Sequence, residues 1–214
     1  MDMDWNLIES IGIGLGLGVA AGFRVVVPFL VLSVAALFGH VPLAENMQWL
    51  GTNTALLGLS IALGVEILVY SIPGLDNLID TVALPVAAIS GTVLMALAAN
   101  QLDPFAQWSL AIVAGGGTAA AVKGLNGFSR LVSTATTGGF ANFLIATAEL
   151  LGALLLSVLA LVAPVLVWLV VLVLFAVLVW LAVRALNRPK VPTSENGANS
   201  LKPNTRNSSA TRIT

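Results

Sequence analysis

The sequence predicts an all-α integral membrane protein of about six transmembrane helices, set as two inverted three-helix halves with broken or re-entrant segments. Two observations carry most of that expectation. Only 9% of the 214 residues are charged while 58% are hydrophobic, and mean hydropathy is +0.99, so there are too few ionisable groups to cover a soluble globule. Apolar stretches of membrane-spanning length recur along the chain, parted by short polar turns and prolines. A membrane domain is expected over 1–186, with halves at 7–100 and 105–186, followed by a disordered cytoplasmic tail over 187–214.

Composition also removes function classes. A net charge of −1 leaves no broad basic field, so nucleic acid is not an expected partner. With no Cys, there can be no disulfide, Cys-ligated zinc, iron–sulfur cluster or thiol nucleophile. The lone His40 makes neither a metal site nor a catalytic triad, and no metal or cofactor is expected. The opening Met1-Asp-Met-Asp-Trp-Asn6 is acidic where a secretory signal is basic, so the first apolar segment is expected to stay as a membrane helix.

That segment, 7–38, contains Gly12, Gly14, Gly16, Gly18 and Gly22, then Arg24 and Pro28. Gly14, Gly18 and Gly22 share a helix face, which lets another helix approach closely where lipid supplies no hydrophobic drive. Alternation with Ile and Leu lacks the strand and Lys of a phosphate loop. In a straight helix Arg24 lies about 26 Å from Leu7, near the far interface, where it can snorkel; a break between Gly22 and Pro28 would instead turn the guanidinium inward.

A polar loop over 39–53 leads to a second span, roughly 54–72, which carries Glu66. Pro73 disfavours helix at Ile72 and Gly74 loosens the chain, so this helix should end near Ser71. Asp76 and Asp80, four apart, share one face of a short helix that Asp76 would cap. A third span from 82 or 85 to 100 is barely long enough to cross.

After the turn at 100–104, a fourth span is expected from about 105 to 126, through Gly115-Gly-Gly117. The stretch from Lys123 to Asn142, which holds Ser133, Thr134, Thr136 and Thr137, is too rich in hydroxyls and glycine for an ordinary span; Gly138 and Gly139 break it, and Asn142 can cap the helix that bears Glu149. As one helix, 143–186 would measure about 66 Å, twice a bilayer core, so it must fold back, and Pro164 marks where.

Six spans put both termini on one side, and Arg184, Arg188, Lys190, Lys202, Arg206 and Arg212 assign that side to the cytoplasm, of a bacterial inner or thylakoid-type membrane. Lys123 and Arg130 then fall on an inside connection. The Gly-rich helix ending Gly22-Phe-Arg24 is echoed by 115–130, which ends Gly127-Phe-Ser-Arg130, and a glutamate-bearing helix follows each. Inverted halves would set Arg24 and Arg130 near opposite interfaces.

The Gly-Phe-Arg-x3-Pro element at 22–28, Glu66 with Ile72-Pro-Gly-Leu-Asp76, and above all the Ser133 to Asn142 run with Glu149 resemble a bacterial, cyanobacterial and plant membrane-protein family catalogued as domain of unknown function 4126. The likeness covers about 10–185. It implies a fold and candidate positions, without an activity. Members of that family often carry a second acid where this chain has Tyr70, a Pro at Phe143 and an acid at Leu150; those departures leave Glu66 and Glu149 standing alone.

An ionisable side chain inside a span costs about 2.5 kcal/mol or more, so Glu66 and Glu149 should face protein or water. Two readings follow. In one, Glu66, Asp76, Asp80, Ser133, Thr134, Thr136, Thr137, Asn142 and Glu149 line a pathway for a small solute or ion, with Arg24 and Arg130 as charge partners and breaks at Pro28, Pro73, Gly74, Gly138 and Gly139. In the other, each acid pairs with an Arg to lock helices in a non-catalytic structural or assembly subunit, joined to copies of itself or to a membrane complex in the lipid bilayer. Enzymatic activity is not expected: Ser133 or Thr134 would have to serve an intramembrane hydrolase without a nearby His.

Overall fold

The computed structural model describes residues 5–41, 43, 45–70 and 75–186, and throughout them the chain is helical, without strands. The helices are α1 Trp5–Phe23, α2 Val26–Leu37, α3 Asn53–Tyr70, α4 Leu75–Ala98, α5 Pro104–Leu110, α6 Gly117–Thr137, α7 Asn142–Val162 and α8 Pro164–Leu186. A π-helical stretch, Ala111–Gly116, joins α5 to α6, and a 3-10 helix, Glu45–Gly51, precedes α3. Four of these runs are long and apolar enough to cross a membrane: α1, α3, Pro104–Thr137 and α7. Shorter apolar helices are Val26–Leu37, Val82–Ala98 and Pro164–Val177. Two compact units divide the chain, Met1–Phe175 and Ala176–Thr214; in the second, the Arg184 guanidinium lies 5.1 Å from the Trp180 ring centre.

Alternating glycines make α1 the central helix. Two residues advance a helix by about 200°, so Gly12 and Gly16 fall on the face opposite Gly14, Gly18 and Gly22. Both faces are used. Gly12 meets the Pro164 carbonyl, and Gly16 meets Ala160 and Val167. On the other side Gly14 meets Met95 and Ala98, Gly18 meets Gly115, and Gly22 meets Ala119 and Val122. The pairings rise together for α1 and α6, which are therefore parallel, and run oppositely for α4 and α7. Gly91 and Gly115 bring α4 and the π-helical stretch equally close. The expected small-residue interface is present on two sides of α1 instead of one.

The 7–38 stretch is not one span. Arg24 N–H still bonds Ala20 O at 3.0 Å, the chain bends at Val25, and α2 starts at Val26 with Pro28 in its first turn, where a missing N–H breaks no helical bond. A straight continuation would set Ser10 and Val41 about 46 Å apart. Instead Ser10, Ile13, Leu17, Leu32 and Val41 line a single cavity of about 220 Å³, together with Leu94, Asn100 and Gln101 from the end of α4. α2 thus doubles back, and the first end of α1 and the loop after α2 share one end of the bundle. This sets aside an arrangement in which 7–38 crosses once and separates them.

Two ends can then be told apart. The Ser10 end holds the start of α1, the exposed His40, the 3-10 helix, the turn at 100–104 and the α7–α8 junction at Ala163. Gln101 Nε2 donates to Ser10 Oγ at 3.2 Å, Gln107 Nε2 to Ala96 O at 2.7 Å, and Trp168 Nε1 to Ile8 O at 3.3 Å. The Arg24 end holds the α1–α2 turn, the end of α3, the start of α4 and the α6–α7 turn.

Other boundaries needed correction. α4 begins at Leu75 and runs through Pro85, longer than the expected span, and Asp76 is its second residue and not its cap. The fourth span continues as helix to Thr137 in place of stopping near 126, because its hydroxyls bond their own helix: Ser129 Oγ donates to Leu125 O, Thr136 Oγ1 to Val132 O and Thr137 Oγ1 to Ser133 O at 2.8–2.9 Å. Gly138 and Gly139, at φ +64° and +88°, then stop it as expected, with Gly138 N–H on Thr134 O. α7 ends at Val162, at the break read at Pro164, while the break read at Pro73 lies outside the described residues.

Candidate functional site

The Arg24 end gathers ionised groups around one aromatic ring. Tyr70, the last residue of α3 and the chain's only tyrosine, is buried. The Arg24 guanidinium, from the α1–α2 turn, lies over the ring at 4.2 Å from its centre, and that of Arg130 from α6 at 4.6 Å. Lys123, two turns before Arg130 on the same helix, brings Nζ to 4.7 Å and donates to the Tyr70 hydroxyl at 2.7 Å. A ring face carries negative potential, so it tolerates cations packed more closely than they would stand alone.

Glu149, in the third turn of α7, answers them. Its carboxylate receives two bonds from Arg130, one from Nε at 3.3 Å and one from Nη2, the fork geometry that suits a guanidinium. Arg24 Nε stands 3.8 Å from Glu149 Oε2, close enough for ionic attraction but not for a hydrogen bond. Arg24 Nη2 donates to the Ala146 carbonyl, one turn earlier on α7, at 3.2 Å. Arg24, Arg130 and Glu149 are each 2% exposed or less, so this pairing is screened from solvent.

Glu66 does something different. From α3 it reaches the start of α2, where its carboxylate accepts from Val25 N–H at 3.2 Å and Val26 N–H at 3.4 Å. Val25 offers no capping side chain of its own, so a carboxylate from another helix satisfies orphan donors and faces the positive end of the α2 dipole. Glu66 is half-buried, and it anchors the turn that carries Arg24.

The remaining expected residues are placed less centrally. Ser133 and Asn142 are buried; Ser133 Oγ lies 3.4 Å from Thr137 Oγ1, and Asn142 Nδ2 donates to Thr134 Oγ1 at 3.2 Å. Asn142 is the first residue of α7 and does not cap it; Thr137 Oγ1 instead accepts from Ala141 N–H at 3.3 Å. Thr136 and Thr137 are exposed, away from Glu149. The side chains of Asp76 and Asp80, and Pro73 and Gly74 altogether, lie outside the described residues. Among those described, no three His, Asp or Glu side chains gather as a metal site would require.

Two placements overturn the sequence reading. Arg24 and Arg130 flank the same ring, whereas inverted halves put them near opposite interfaces; the parallel course of α1 and α6 carries both to one end. Lys123 and Arg130 are buried on α6, not set in a loop. Tyr70 and Lys123 were missed as site residues. A lone tyrosine at a helix end beside a Pro-Gly break, and a lysine inside an apolar helical run, were the available signals.

A family profile described as Domain of unknown function (DUF4126) matches residues 11–184. No curated protein and no solved structure matches the chain.

Proposed function

Because the chain belongs to the family described as Domain of unknown function (DUF4126), and from the charges its helices converge on Tyr70, we propose that it is a non-enzymatic membrane protein that passes a small solute or ion. The observation that carries this is the meeting of Arg24, Lys123, Arg130 and Glu149, from the α1–α2 turn, α6 and α7, on one buried ring. Each such group inside a membrane protein costs about 2.5–3.5 kcal/mol to insert, and apolar packing would join the same helices at lower cost. The broken α1–α2 element carries Arg24 into the cluster, as irregular backbone builds sites in transporters.

A second reading is favoured by the near-complete burial of the Arg130–Glu149 pair: the cluster locks helices in a structural or assembly subunit, alone, as a homo-oligomer or within a membrane complex. Purified protein in proteoliposomes separates the two. Under the first, tracer or light-scattering flux of at least one small ion or solute exceeds that of empty vesicles, and Glu149→Gln changes its rate while the protein stays folded. Absence of flux across the panel, with Glu149→Gln losing stability that Arg130→Gln restores, would establish the lock instead.

The loops at the Ser10 end carry no Lys or Arg among the described residues, and we assign that end to the non-cytoplasmic side of a bacterial inner or thylakoid-type membrane, the start of α1 with it. The basic residues from Arg184 onward remain the cytoplasmic signal of the carboxyl terminus.

A further inference from the structure

We propose that Arg24 and Arg130 form a binding site for a small planar monovalent anion, of the formate, bicarbonate or nitrate type, which the Glu149 carboxylate fills as a tethered substitute. This rests on reading the cluster as a solute site, and it names the solute's charge and shape.

Arg24 supplies the reason. Its guanidinium is 2% exposed, yet Nε and Nη1 make no hydrogen bond; only Nη2 is engaged, by Ala146 O. Stacking over Tyr70 satisfies the face of the guanidinium and leaves the donors in its plane unserved. Buried charged donors without acceptors are costly enough that proteins rarely keep them without a use. Glu66 also attracts Arg24, but its carboxylate is committed to Val25 and Val26 N–H, and Glu149 Oε2 stops 3.8 Å from Arg24 Nε because its carboxylate is turned to the fork of Arg130. The side chain is fixed at its α7 backbone and serves one guanidinium well and the other poorly. A free anion of the same size carries no such tether, so it can turn its oxygens to both forks once Glu149 swings aside. Lys123 holds the phenol hydroxyl, keeping the ring in place against both guanidinium groups. A bulky anion would not fit a space that one carboxylate fills, and the single negative charge displaced with Glu149 matches a monovalent one.

The test removes the tethered charge and offers a free one. Glu149→Gln is purified in detergent and its thermal unfolding followed in sodium formate, nitrate or chloride against gluconate at constant ionic strength. Formate or nitrate should raise Tm saturably, by roughly 5 °C at a hundredfold excess over Kd, with wild type shifted far less. The double variant Glu149→Gln/Arg24→Gln should lose the shift. If Glu149→Gln is recovered folded only in formate or nitrate, that dependence is the same expected result. If it is never recovered, Glu149→Asp, which keeps the charge but draws the carboxylate back from both guanidinium groups, is measured in the same way and should show a smaller saturable shift. Absence of any saturable shift in both variants, or a shift that survives loss of Arg24, overturns the site. Saturable binding without flux in proteoliposomes leaves the site standing and removes the transport reading. Flux of a cation or neutral solute that ignores these anions does the reverse.

Discussion

The two ends of the bundle solve the same problem with different chemistry. At each, helices stop inside an apolar protein and their terminal groups need partners. At the Ser10 end the bonds between elements are made by neutral groups, Gln101 to Ser10, Gln107 to the Ala96 carbonyl and Trp168 to the Ile8 carbonyl, while the carboxylate there, Asp103, is exposed and caps α5 through Phe105 and Ala106 N–H, beside a cavity whose polar members are Ser10, Asn100 and Gln101. At the Arg24 end Glu66 caps α2 by accepting from Val25 and Val26 N–H, and Arg24 bonds the Ala146 carbonyl inside α7, which is not a terminal group. Since amides, an indole and an exposed carboxylate suffice at one end, helix termination does not by itself call for buried guanidinium and carboxylate at the other. The proposed function rests on that difference, buried charge at one end and exposed charge at the other.

The largest effect would come from labelling, because it is all or none. The chain has no Cys, so single cysteines report cleanly. Introduced at the exposed Asn6, Gln48 and Asp103, they should react with an impermeant thiol reagent from one side of the membrane, and one at the exposed Phe140 from the other. Reaction of Asn6 and Gln48 from opposite sides would restore a single span over 7–38 and dissolve the contrast between the ends.

Next in size is the pair at the Arg24 end. Arg130→Met leaves Glu149 buried with only the distant Arg24 Nε, and stability in detergent should fall by about 3–5 kcal/mol. Adding Glu149→Met should recover most of that loss, but not all, because Arg24 then loses its nearby carboxylate. Chemical unfolding of the single and double variants measures both. A double variant no better than the single would mean that the pair is not what joins α6 to α7.

How far the sequence could be read follows the same division. Signals that act within a few residues were legible: the stops near Gly138 and Pro164, and the small-residue faces of α1. The reversal at Arg24 was open between two readings, since what fixes it lies far along the chain. Glu66 caps α2 from 40 residues away, and Ser33 Oγ bonds the Leu50 carbonyl at 2.6 Å. Hydroxyl and glycine content made 126–137 look unlike a span, yet each hydroxyl there can be satisfied by its own helix, and composition does not register that. Tyr70 was read as a position where an acid is lost. Its importance is visible only once three cations from two other elements arrive at its ring.

The smallest effect is expected from the neutral counterpart of Arg24. Gln107 and Arg24 each donate to a carbonyl of a neighbouring helix, at 2.7 and 3.2 Å, and differ mainly in charge. Gln107→Met keeps length and apolar contact while removing the donor. The Ala96 carbonyl near the end of α4 then loses that partner, and hydrogen bonds between membrane helices average about 0.6 kcal/mol, so thermal unfolding in detergent should shift by no more than about 1 kcal/mol equivalent. Arg24→Met, measured beside it, removes a cation that Glu149 and Tyr70 both face, and should cost several times more. Equal losses at the two positions would mean that the ends differ in composition but not in energy, and the case for a function at the Arg24 end would lose its physical basis.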